Sequence, residues 1–242
     1  MRKGSDEMAA EAESGKIIKK FSSRQHAVYL IRLPPGDPRG ERAVCKRYDG
    51  DGAGCEKEAK WLTGLAAQGV AVPRLLEAGE EHLLMEYLTG PTLLDILLAP
   101  ESAGAMGVGR ATASVIASLG DWFDAFYPAA VALTGERIVY GDVNFRNFIV
   151  RDRIFGIDPE DCRPGRPEED VGKMAAFALT YTPAFTVWKL SLARALSRIL
   201  IARLRLDAAA VRAAAEEEMR AIARRRGQEL PPGWERLIVG LG

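Results

Sequence analysis

Apolar and polar positions alternate in three early runs, residues 17–21, 27–33 and 42–48, and the turn-forming stretch PPGDPRG at 34–40 separates the last two. Period-two alternation bounded by Pro and Gly predicts an antiparallel three-strand meander. Residues 55–68 change period, with Glu58, Trp61, Leu62 and Leu65 at i, i+3, i+4 and i+7. That spacing predicts one helix with those four residues turned inward, closed by Gly69. Residues 70–76, which include Pro73, and 82–88 predict two further strands, and Thr89-Gly90-Pro91 breaks the chain before a helical stretch at 92–98. The second half carries helical patterns at 111–126, 170–181 and 188–226, the last interrupted near Asp207. Short strands are predicted at 137–140, 147–150 and 154–157, the last two joined by a tight turn at Arg151-Asp152-Arg153. The pattern predicts an α+β chain of two lobes: a leader at 1–15, a five-stranded antiparallel lobe with one helix at 16–88, and a mostly helical lobe at 89–242.

The 242 residues include 33 Lys plus Arg and 33 Asp plus Glu, and 48% are hydrophobic. The balance argues against a basic nucleic-acid coat or an acidic disordered chain, though not against a local patch. Two histidines, His26 and His82, are too few for a His-rich zinc cluster, so metal chemistry would fall to carboxylates. They are read as structural or surface groups. Three cysteines, Cys45, Cys55 and Cys162, show no CxxC spacing, fit a reducing compartment and are read as packing residues, with access to a neighbouring cleft as the alternative for Cys45 beside Lys46. No run of about 18 apolar residues occurs and the start of the chain is charged, so a soluble cytoplasmic protein is expected.

The informative segment is 140–160, YGDVNFRNFIVRDRIFGIDPE. Asp142 and Asn147 stand in D-x-x-x-x-N spacing before one short strand, and Asp158 follows the next. A loop of this kind can offer a carboxylate to an acceptor hydroxyl while an amide oxygen and a second carboxylate meet a hard cation such as Mg2+. The chain resembles the protein-kinase-like superfamily in its small atypical branch, the aminoglycoside-phosphotransferase-like, RIO-type and threonylcarbamoyl-pathway kinases. The resemblance implies a bilobal kinase-like fold, Asp142 as catalytic base, and Asn147 and Asp158 as metal ligands. It further implies that Lys46 holds the α and β phosphates and that Glu58, preferred to Glu56 by its helical face, is its ion-pair partner. Met85, Glu86 and Leu88 would form the gatekeeper and the hinge that meets adenine. Ser22 and Ser23 would present backbone N–H groups to phosphate from a loop without glycine. These features cover roughly residues 16–180. The chain departs from the family where Tyr140 replaces the usual histidine two before the aspartate, and where IDPE replaces DFG.

Only twelve positions separate Asp158 from Asp170, which leaves little room for a regulated activation segment. Asp170 is expected either to serve the helix N-terminus or, by the resemblance, to brace the catalytic loop. Residues 152–170 carry seven acidic and three basic side chains, suited to a cationic amino sugar, whereas 189–226 carry ten basic and four acidic ones, read first as a solvated helical face and otherwise as suited to RNA phosphates or an acidic lipid surface. The leading expectation is an ATP- and Mg2+-dependent kinase acting on a hydroxyl of a small molecule or RNA. The alternatives are a pseudokinase serving as a nucleotide-binding or protein-interaction module, and an atypical protein Ser/Thr kinase.

Overall fold

The computed structural model describes residues 15–23, 25–48, 52–227 and 229–240. Most of the expected leader and much of the glycine-rich break at 50–54 lie outside them. The chain divides into two compact units, one ending at Thr89 and the other beginning at Gly90.

In the first unit β1 (Lys16–Phe21), β2 (Ala27–Arg32), β3 (Arg42–Arg47), β4 (Leu75–Ala78) and β5 (His82–Glu86) form one antiparallel sheet in the order β1-β2-β3-β5-β4. The pleat sorts its side chains. Tyr29, Ile31, Ala43, Cys45 and Leu84 share one buried cluster, while the intervening positions put Lys46 on the opposite face. Cys45 is therefore a core residue, 1% exposed, in keeping with its reading as a packing residue, and the alternative of cleft access falls because it lies on the face opposite Lys46. All three cysteines are buried and unbridged.

Helix α1 (Ala53–Ala67) buries Cys55, Glu58, Leu62 and Leu65. Trp61, expected inside, is only half-buried. The strand expected from residue 70 begins at Leu75 instead. Val70, Ala71 and Val72 are buried outside the sheet, because Pro73 has no N–H to donate to a ladder.

The second unit opens with α2 (Leu93–Ser102), where Thr92 and Asp95 form a reciprocal capping box. Helix α3 (Arg110–Thr134) runs eight residues past the expected end and through Pro128. Buried Phe126, Ala129 and Ala130 keep that last part packed, which outweighs the one backbone bond that Pro128 cannot make. Next come β6 (Ile138–Val139), a 3-10 turn at Phe145–Asn147, and the hairpin β7 (Phe148–Val150) and β8 (Ile154–Gly156). After a second 3-10 turn (Pro159–Asp161), β9 (Arg163–Pro164) returns to pair with β6. Nothing in the sequence pattern marked this two-residue strand. Helix α4 (Pro167–Thr180) then packs against α5 (Val187–Leu204) and α6 (Ala208–Arg226), and a short α7 (Glu235–Val239) closes the described chain. Asp207 caps α6 through the N–H of Ala209, which places the break between the two helices where it was expected. Gly172 permits the close approach of α4 and α6, since a Cβ there would lie 2.6 Å from Ala214. No helix among the described residues is long and apolar enough to cross a membrane.

Candidate active site

In the first unit β3 and α1 bring Lys46 and Glu58 together. The Lys46 ammonium lies 2.6 Å from a Glu58 carboxylate oxygen, and both side chains are almost wholly buried. The Tyr48 hydroxyl also bonds Glu58. Glu56 faces solvent and pairs with Lys60 one turn away. A buried ion pair is costly to desolvate and persists where its geometry is good, so it fixes the direction in which the Lys46 stem points. Ser22 and Ser23 are exposed on the β1–β2 connection, where the Ser23 hydroxyl accepts from the backbone N–H of His26 at 3.4 Å. Met85 and Leu88 are buried at and just beyond the end of β5, and the Glu86 N–H donates to the Arg74 carbonyl at 2.9 Å.

In the second unit the segment from Tyr140 to Asp158 forms one hydrogen-bonded assembly. Gly141 has φ +86° and a Cβ there would lie 2.3 Å from the Asp161 carbonyl oxygen, so glycine alone suits the turn that presents Asp142. The Asn144 N–H donates to the Asp142 carboxylate at 3.2 Å. The Asn147 side-chain amide donates to the Asp142 carbonyl at 3.1 Å, which turns its Oδ1 the other way. The Asn147 carbonyl accepts from Ile157 N–H at 2.8 Å, and thereby ties the loop to the residue before Asp158. Asp158 has φ 67° and ψ 58°, a left-handed conformation unusual for a non-glycine residue. Its carboxylate and that of Glu160 come within 4.8 Å of each other. Glu160 was missed by sequence reasoning; its position two residues after Asp158, across a 3-10 turn, is the only signal it offered.

The loop is clamped by α4. Asp170 is fully buried and accepts from the N–H groups of Tyr140 (2.8 Å) and Gly141 (3.1 Å) and from the Tyr127 hydroxyl (3.2 Å). One turn on, Lys173 donates to the Gly141 carbonyl at 3.1 Å. The helix start is capped by Glu169, which accepts from Arg166 N–H at 2.9 Å. Asp170 lies in the first turn of α4, as one expectation had it, and its carboxylate also braces the loop, as the other did. Tyr181, just past α4, donates its hydroxyl proton to Asn144 Oδ1 (3.0 Å) and accepts from Phe145 N–H (3.2 Å). The Tyr140 ring packs edge-on against Trp122 and Phe126, and its hydroxyl donates to the Ile157 carbonyl at 2.6 Å. Lys173 and Tyr181 carried no sequence signal, because contacts between residues some 30 to 40 positions apart have no local period.

Burial raises the Asp142 carboxyl above its usual range; Asp158 and Asp161 add to the rise, and bonds from Asn144 and Asn147 oppose it. Burial also pushes Asp170 up to about 6 against the pull of its two backbone donors. A carboxylate of raised basicity beside an amide oxygen and two further carboxylates can accept a proton and hold a hard divalent cation.

No protein-family model and no curated protein matches the chain. Solved structures do. The streptomycin–ATP–APH(2″)-IIa ternary complex aligns with a TM-score of 0.60 at 12% identity, covering 100% of this chain and 98% of that one. The amicoumacin kinase hAmiN in complex with AMP-PNP, Ca2+ and Ami aligns with a TM-score of 0.65 at 11% identity, covering 100% of this chain and 93% of that one. The chain shares the fold of these two structures, with a five-stranded antiparallel sheet followed by a helical part.

Proposed function

We propose that this chain is an ATP- and Mg2+-dependent phosphotransferase that moves a γ-phosphoryl group to a hydroxyl of a small molecule. The observation that carries the reading is the clamp on the loop: Asp170 and Lys173 hold the peptide groups on either side of Gly141, and Asn147 bonds the Asp142 carbonyl. A side chain with no task of position would not need three separate anchors. Asp142 would orient the acceptor hydroxyl and take its proton, for which a raised pKa is suited. Lys46, held by Glu58, would neutralise phosphate charge, while backbone groups from Glu86 to Leu88 beside Met85 would meet adenine and those of Ser22 and Ser23 the phosphates. Asn147 and Asp158, with Glu160 as a further candidate, are oxygen donors that fit Mg2+, and the ion would supply charge neutralisation on the transferring phosphate.

Two features favour a small acceptor. Both proteins of like fold carry antibiotics or their kinase activity in their names, and the segment after Asp158 is short and folded through β9. The latter counts against a protein Ser/Thr kinase with a long activation segment. The pseudokinase reading rested on Tyr140 and the glycine-free loop, and the Tyr140 hydroxyl does make a bracing bond.

The test is transfer from γ-labelled ATP with Mg2+ to amino-sugar antibiotics, simple sugars, total RNA and generic protein. Label should enter a small-molecule fraction and fall by a hundredfold or more in Asp142→Asn and Asp158→Ala, the scale of losing a group that acts in the transition state. Undiminished transfer by Asp158→Ala would sink the site assignment. Nucleotide binding without any transfer would favour the pseudokinase.

A further inference from the structure

Four arginines of the last long helices are committed to neighbours. Arg203 pairs with Asp121 at 2.5 Å, Arg220 with Glu216 at 3.4 Å and Arg225 with Glu218 at 2.5 Å, and Arg226 donates to the Thr180 carbonyl at 2.7 Å. Even the fully buried Lys189 has Glu101 at 2.6 Å. Arg194 and Arg198 are set apart by a shared groove. They lie one turn apart on the same exposed face of α5, have no ion-pair partner among the described residues, and line one groove with Arg110 at the start of α3. No aspartate or glutamate lines it. Two like charges at i, i+4 weaken a helix, so their pairing with a third arginine in a concavity calls for a compensating anion.

The groove is open to solvent along its length and offers about 540 Å3 of space. Its rim is also apolar. Met106 is 66% exposed and Val187 54%, two of the few large hydrophobic side chains left in solvent, and both line it. The walls are already fixed. The Ser191 hydroxyl accepts from Val108 N–H at 3.0 Å, pinning the α2–α3 connection onto α5, and Trp188 Nε1 donates to the Leu97 carbonyl at 3.0 Å. The Arg194 guanidinium lies over Gly240, where a Cβ would approach its Nε to 3.2 Å. Gly109 heads α3 without a side-chain cap, which adds the positive end of a long helix to the same region. None of Asp142, Asn147 or Asp158 lines the groove.

We propose that this groove is a binding site for an organic phosphate carrying a short apolar group, separate from the phosphotransfer residues. Guanidinium pairs bind phosphate oxygens bidentately and match a dianion better than a carboxylate, while Met106 and Val187 cover the tail. The inference does not depend on the catalytic reading, because it uses none of those residues.

Calorimetric titration of the full chain with hexyl phosphate, hexanoate and inorganic phosphate tests it. Hexyl phosphate should bind with at least tenfold higher affinity than either fragment, since head and tail each contribute. The double variant Arg194→Gln, Arg198→Gln, altered only at exposed positions, should lose tenfold or more of that affinity while keeping the wild-type melting temperature and its response to ATP and Mg2+. Hexanoate binding as tightly as hexyl phosphate, inorganic phosphate doing so, or undiminished binding by the double variant would each overturn the proposal. So would sedimentation with phosphatidylglycerol vesicles in the absence of hexyl phosphate binding, which would make the patch a membrane-facing surface.

Discussion

Tyr140 combines two roles in one side chain. Its ring fills an aromatic cage of Trp122, Phe126 and Phe148, and its hydroxyl reaches the Ile157 carbonyl, one peptide before the left-handed Asp158. A non-glycine residue in that conformation costs about 1–2 kcal/mol, so something must hold it. The substitution Tyr140→Phe keeps the cage and removes the hold. Stability should fall by about 1–2 kcal/mol, the cost of a buried carbonyl losing its donor. If Asp158 binds metal, the Mg2+ concentration for half-maximal activity should rise severalfold while the melting temperature changes by only a few degrees. An unchanged Mg2+ requirement would reduce Tyr140 to a packing residue. The sequence could announce that a tyrosine stood where relatives place histidine; it could not announce that the longer side chain spans the gap to Ile157, because that distance belongs to the folded loop.

Helix α4 is the element on which the site rests, and its hold passes through the hydrogen bonds of a buried carboxyl. Asp170 has its carboxyl raised from 3.8 to about 6 by burial. A carboxyl raised on folding binds its proton more tightly in the native state, so its contribution to stability is greatest below about pH 4 and is lost as pH rises to about 6. The buried charge above that range costs about 3 kcal/mol, taking about 1.4 kcal/mol per pKa unit. Asp170→Asn cannot titrate. The stability difference between wild type and this variant, from urea unfolding at pH 4.5 and pH 7, should therefore shift toward the variant as pH rises. A difference independent of pH would remove Asp170 from the linkage. At this scale the local pattern was readable wherever one short-range rule decided: the meander, the hairpin after Asn147 and the Asp207 break all follow from period and turn chemistry. It misled where tertiary contact overrode the local rule, as at Pro128 inside α3 and Pro73 ahead of β4.

Across the whole chain, the formal charge of zero conceals a division of labour. The basic excess of residues 189–226, once a candidate for RNA, is met in part by internal partners such as Asp121 and Glu218, and the acidic stretch that runs into α4 in part by Arg163 and Arg166. Next to the loop, the carboxylates of Asp158 and Glu160 lie within 4.8 Å of each other, a proximity that favours a cation shared between them. This gives a prediction that needs no knowledge of the acceptor. Nucleotide alone would bring phosphate charge toward these two carboxylates, so ATP should raise the unfolding midpoint little without a divalent ion. ATP with Mg2+ should stabilise the chain by RT ln(1 + [L]/Kd), about 2.7 kcal/mol at a hundred times Kd, which for a chain of 242 residues is roughly 5–10 °C. Asp158→Ala should lose the increment that Mg2+ adds and keep whatever ATP gives alone, and Glu160→Gln should lose part of it. Equal shifts with and without Mg2+ in the wild type would mean that these carboxylates do not hold a cation with the nucleotide, and the phosphotransfer reading would lose its electrostatic basis.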